Sequence, residues 1–75
     1  MTTARDIAEL MTDFDVDLDA LRADLPLEDQ GVDSMDMSAL LVRIERAFHV
    51  EISDAEAESL RSLDDLAMRV NHDRS

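Results

Sequence analysis

The sequence predicts an all-α protein, a small four-helix bundle with three longer helices, one short third helix and a long first loop. Three observations carry that expectation. Met37, Leu40, Leu41, Ile44 and Phe48 recur at spacings of three and four, which puts them on one helical face. Thr3 with Asp6, Ser53 with Glu56 and Ser62 with Asp65 each set a hydroxyl three residues before a carboxylate, the pattern of a helix start. No convincing pair of strands can be read anywhere in the chain.

The first helix is expected to open at Thr3 and to bury Ile7, Leu10, Met11 and Phe14. From Asp15 the pattern alternates briefly and then meets the only proline, Pro26, and the only glycine, Gly31. A connection of that length in a compact domain is usually functional, and Val16, Leu18, Leu21, Leu25 and Leu27 can pin it to the core, with room for one short helical turn. Asp33 or Ser34 then starts the second and strongest helix. The third is short and is expected to end near Leu60 or Arg61. The last buries Leu63, Leu66, Ala67 and Val70 before a polar tail, residues 71–75, that is expected to fray. Residues 1–75 form one domain, with a core mostly of Leu, Ile, Val and Met because only Phe14 and Phe48 are aromatic.

Composition narrows the function. Nineteen Asp and Glu against seven cations, all arginine, give a formal charge of -12, a field that repels nucleic acid and anionic membranes and attracts basic partners. With no cysteine, any thiol chemistry has to come from an added group. The first residues lack the basic and apolar stretches of a secretory signal, and no segment reaches the length of a membrane span, so a cytoplasmic protein is expected; it is also expected to be a monomer.

Little in the chain resembles catalytic machinery. A bundle this small has scant room for a pocket, and His49, at the end of the second helix, and His72, in the tail, read as ordinary surface residues. Ser34 alone has a chemical logic: its hydroxyl follows a glycine-containing turn and an aspartate and stands at the start of an amphipathic helix. Ser34, or Asp33, can equally be a plain N-cap.

The neighbours of Ser34 decide between these. Leu-Glu-Asp-Gln-Gly-Val-Asp-Ser-Met-Asp from Leu27, Leu-Leu-Val-Arg-Ile-Glu-Arg-Ala-Phe from Leu40, and Glu-Ile-Ser-Asp-Ala-Glu-Ala-Glu-Ser-Leu from Glu51 together resemble an acyl carrier protein of the bacterial fatty acid synthase type. Gly31, Asp33 and Ser34 match that family's modification motif. The resemblance implies that a phosphopantetheinyl transferase moves the phosphopantetheine arm of coenzyme A onto Ser34. The arm then supplies the missing thiol and carries acyl groups as thioesters. Partners would be acyl-loading and acyl-processing enzymes such as a ligase, a ketosynthase and an acyltransferase.

On the second helix, Met35, Ala39, Val42 and Arg46 form an exposed band, read here as a docking stripe, with Asp36 and Glu45 beside it. The band matches the family's recognition surface, but Ala39 and Arg46 stand where two glutamates are usual, a change of about three charge units. Gln30 for leucine, Met35 for leucine and Ser53 for proline are further departures. A dedicated pathway carrier fits these changes.

Other readings remain at this point. The same fold can carry an amino acid, as in aminoacyl, peptidyl or D-alanyl carrier proteins, or can serve as a regulatory domain that is never modified. Asp13, Asp15, Asp17, Asp19 and Asp24 imitate the spacing of a calcium loop, yet Leu18 stands where its glycine should be and Asp24 where its bidentate glutamate should be. No metal is therefore expected. Met37, Leu40, Leu41 and the apolar loop are expected to line a cavity that partly shelters the acyl chain.

Overall fold

The computed structural model describes residues 1–74, with side chains through Asp73; Ser75, expected to belong to a frayed tail, lies outside the described residues. Helix α1 spans Ala4–Ala8, α2 Ser34–Phe48, α3 Asp54–Ala57 and α4 Leu63–Arg74, and no strand is found among the described residues. The all-α, four-helix outline holds.

Local chemistry opens each helix. The Thr3 hydroxyl accepts from the Asp6 N–H at 3.2 Å while the Asp6 carboxylate takes the Thr3 N–H at 3.0 Å. Ser53 and Glu56 repeat the exchange at α3, and Ser62 and Asp65 at α4. Each box satisfies N–H groups that the helix itself cannot.

Helix ends depart from the expectation. Beyond Ala8 the chain tightens into a 3₁₀ turn over Glu9–Met11 and leaves helical geometry before Phe14. The cause is tertiary: Arg43 of α2 pairs with Asp13, donates to the Leu10 carbonyl at 2.8 Å and lies 4.9 Å over the Phe14 ring. Helix α3 stops at Ala57 instead of reaching Leu60 or Arg61. There the Ser59 N–H and hydroxyl both turn back to the Glu56 carbonyl, at 3.0 and 2.8 Å. Residues 71–74, expected to fray, continue α4, and the Asn71 amide exchanges two 2.7 Å bonds with the Thr2 backbone.

Ile7, Met11, Leu27, Val32, Leu40, Ile44, Leu66 and Val70 are the largest fully buried side chains, drawn from α1 and its 3₁₀ extension, the long loop, α2 and α4. Helix α3 contributes none. The long loop holds two 3₁₀ turns, Leu18–Ala20 and Leu27–Gln30, where one was expected. Val16, Leu18 and Leu21 pack against the core and Leu27 lies within it, but Leu25, expected inside, is exposed. Backbone bonds fill the role assigned to Leu25: the Leu27 N–H reaches the Arg61 carbonyl at 2.8 Å and the Asp64 N–H reaches the Ala23 carbonyl at 3.0 Å. The loop is thereby tied to the junction of α3 and α4, beside the start of α2.

Candidate functional site

The turn into α2 is built residue by residue. The 3₁₀ turn over Leu27–Gln30 ends at Gly31, whose φ of 94° lies in the left-handed region that a side chain disfavours. Val32 follows, buried in the core, and fixes the turn to the body. Asp33 then caps α2, its carboxylate accepting the Asp36 N–H at 2.8 Å. The cap is therefore Asp33, and Ser34 is the first helical residue.

That arrangement leaves the Ser34 hydroxyl exposed and without a hydrogen bond among the described residues. Around it, the first-turn N–H groups of Ser34 and Met35 have no acceptor within the helix, and the positive end of a 15-residue helix faces outward. An exposed nucleophilic oxygen beside free N–H donors suits attachment of a phosphate-linked group, because the donors meet its negative charge.

Ser34 also stands on the rim of a cleft of about 470 Å³ between α2 and the α3 segment. Met37 and Leu41 form its α2 wall, and Ala57 and Leu60 face them. Glu28, Ser38, Glu58 and Arg61 complete a polar mouth. Of the residues expected to line a cavity, Met37 and Leu41 do so, whereas Leu40 is fully buried in the core and the loop contributes Glu28 in place of its apolar residues. Sequence reasoning missed Ala57, Leu60 and Arg61. No periodicity marks them, because their side of the cleft is a turn set opposite α2 by tertiary contacts.

The band on α2 is exposed at Met35, at 80%, at Val42 and at Arg46, and half-buried at Ala39. Arg46 makes no ion pair among the described residues, unlike Arg22, Arg43 and Arg69. Asp36 and Glu45 are half-buried, and Glu45 is partly engaged within the chain, since its carboxylate accepts the Ile52 N–H at 3.1 Å.

Three of the five loop aspartates have partners within the chain. Arg43 holds the Asp13 carboxyl below its ordinary range by direct hydrogen bonding, Arg22 does the same for Asp24, and Asp17 accepts the Asp19 N–H at 3.1 Å. Among the described residues no three His, Cys, Asp or Glu gather as a metal site, and no helix is long and apolar enough to cross a membrane.

A family described as "Phosphopantetheine attachment site" matches residues 4–70. The chain belongs to the acyl carrier protein family. Relatives named "Acyl carrier protein" support this along most of its length. The protein of Campylobacter jejuni subsp. jejuni is 32% identical over 74 residues, covering 96% of each chain. That of Campylobacter concisus is 35% identical over 68 residues, covering 88% of each. That of Syntrophobacter fumaroxidans is 45% identical over 40 residues, 53% of this chain and 49% of its own. As a member of this family the chain is a carrier protein, and its cofactor is phosphopantetheine. The exposed Ser34 hydroxyl and the free N–H groups beside it fit that group.

Proposed function

We propose that this chain carries acyl groups on phosphopantetheine attached at Ser34 and presents them, in the cytoplasm, to enzymes of fatty acid, polyketide or related lipid biosynthesis. The single observation behind the attachment is the division of labour at the helix start: Asp33 provides the cap, so Ser34 has no structural duty to lose. Once attached, the arm supplies the thiol on which an acyl group rides as a thioester, a group the cysteine-free chain lacks.

The chain's own residues do the rest. In the transfer the Ser34 oxygen forms a new bond to phosphorus, the phosphorus–oxygen bond to the adenosine bisphosphate of coenzyme A breaks, and the hydroxyl proton leaves with the transferase's base. Gly31 and Val32 hold the turn so that this oxygen stays outward, and the free N–H groups of Ser34 and Met35 would meet the negative charge of a phosphodiester attached there. Arg61 lines the same cleft and brings the only cation among its lining residues. Met37, Leu41, Ala57 and Leu60 offer an apolar wall along which the first part of an acyl chain is sheltered.

The exposed band of Met35, Ala39, Val42 and Arg46, flanked by Asp36 and Glu45, is the docking face in this reading. Partners are the phosphopantetheinyl transferase and then acyl-loading and acyl-processing enzymes. Weak, electrostatically steered contacts suit a carrier that must meet several enzymes and leave each.

Incubation with coenzyme A and a broad-specificity transferase, followed by intact mass, tests the attachment. Wild type gains one phosphopantetheinyl group and Ser34→Ala none. An unmodified wild type overturns the proposal.

A further inference from the structure

The wall of the cleft that faces α2 is held unusually. Helix α3 has four residues, none of them buried, so apolar packing does not fix it. The flanking segments are tied down at Ile52, whose N–H the Glu45 carboxylate accepts, and at Leu60 and Arg61, while α3 itself is gripped by one side chain from α4. Arg69, only 16% exposed, pairs through Nε with the Glu56 carboxylate on α3 and donates through Nη2 to the Glu51 carbonyl at 2.7 Å, just before α3 begins. Its Nη1 lies 3.2 Å from Asp73, an ion pair without the alignment of a hydrogen bond, which also holds the guanidinium in place from its own helix.

Ala57 and Leu60, the apolar residues of the far wall, follow closely after Glu56 in sequence. Leu60 also lines a second cavity of about 320 Å³ with Met68 and Arg69 on its other side. Leu60 separates the cleft from this second cavity, so an acyl chain that pushes past the cleft's apolar wall presses on Leu60 and the α3 turn, and moving either works against the Arg69 grip. We propose that Arg69, acting through Glu56 and the Glu51 carbonyl, is a positioning residue that sets how long an acyl chain the cleft accepts. This rests on the reading of the cleft as the acyl shelter.

The electrostatics agree with the geometry: hydrogen bonding from Arg69 holds the Glu56 carboxyl below its ordinary value. Glu56 also accepts from the Ser53 N–H and hydroxyl, at 3.5 and 3.3 Å, so it closes the α3 cap and the clamp at once. That double role supplies a selective variant. Glutamine serves in a capping box as glutamate does, so Glu56→Gln keeps the cap while removing the charge that grips Arg69.

The test loads wild type, Glu56→Gln and Arg69→Met with butyryl, octanoyl and dodecanoyl phosphopantetheine from the matching acyl-coenzyme A. For each, the gain in Tm over the unacylated holo form and the methyl shifts of Leu41 and Leu60 are measured. Arg43→Met serves as control, because it removes a clamp of similar build that touches Asp13 and Leu10 instead of α3.

In wild type the gain in Tm levels off within the series. In Glu56→Gln and Arg69→Met the levelling moves to a longer acyl group, while Arg43→Met lowers Tm with the wild-type profile kept. Should Arg69→Met fail to fold, Glu56→Gln alone carries the result. Profiles of both clamp variants that coincide with wild type, or a control that shifts equally, overturn the role of Arg69 and leave the carrier reading standing. Failure of wild type to take up any arm, seen by mass, overturns both.

Discussion

Gln30 and the backbone of Arg22 bind each other in both directions: the Gln30 Oε1 accepts the Arg22 N–H at 2.6 Å and its Nε2 donates to the Arg22 carbonyl at 2.9 Å. The same Nε2 reaches the Leu25 carbonyl at 3.0 Å. One side chain thus satisfies backbone groups that a wandering loop would leave to solvent, and it does so directly before Gly31 and the Ser34 turn. Gln30, which the sequence marks as unlike the resembling carriers, thus has a structural role of its own.

Gln30→Leu is therefore expected to destabilise the protein by about 1–2 kcal/mol, the net worth of a few partly exposed hydrogen bonds less the apolar gain. Urea unfolding measures this. Amide exchange at Arg22 should also quicken. Unchanged stability and exchange would show that the loop is held without Gln30.

Asp33 and Ser34 sit side by side but should respond oppositely. Asp33→Ala removes the α2 cap and is expected to cost about 1 kcal/mol. Ser34→Ala should change stability by less than about 0.5 kcal/mol, as befits an exposed side chain without a hydrogen bond. It should nevertheless abolish modification. Denaturation curves and intact mass, run on both variants, separate the two roles.

Acid should act in two phases. Hydrogen bonding from Arg43 and Arg69 places Asp13 and Glu56 below their ordinary values of 3.8 and 4.5. Through that window the folded state binds fewer protons than the unfolded chain, so both pairs contribute fully above those values and are lost as pH falls through the lower folded ones. Meanwhile the self-repulsion behind a charge of -12 relaxes as acids begin to titrate. Tm is expected to rise from about pH 7 towards about 5 and to fall below about 4. Asp13→Asn with Glu56→Gln should flatten the acid limb, and an unaltered limb in that double variant would assign the loss to other carboxyls.

Arg46 is an exposed cation, without an ion pair among the described residues, on a face otherwise bordered by Asp36 and Glu45. Arg46→Glu should raise kcat/KM for arm transfer by a transferase with a basic docking patch roughly two- to tenfold at low salt, through faster encounter. The gain should shrink as ionic strength rises. A decrease would mean that Arg46 meets an acidic group on that enzyme.

The sequence by itself determined whatever depends on neighbours along the chain. Three capping boxes each join residues three positions apart, and the stripe from Met37 to Phe48 needs only helical spacing. The run around Ser34 likewise keeps motif and helix start together, so the candidate attachment site and the band on α2 are legible in the order of residues alone.

Tertiary structure decided which arginine meets which acid. Arg43 finds Asp13 across 30 positions and Arg69 finds Glu56 across 13, and nothing in the spacing of nineteen acids and seven arginines selects those pairs. Yet these pairs set where the first helix stops and where α3 stands, and with it the far wall of the cleft. Local hydrogen bonds are encoded by adjacent residues, whereas an ion pair between distant segments exists only after the core has packed them together.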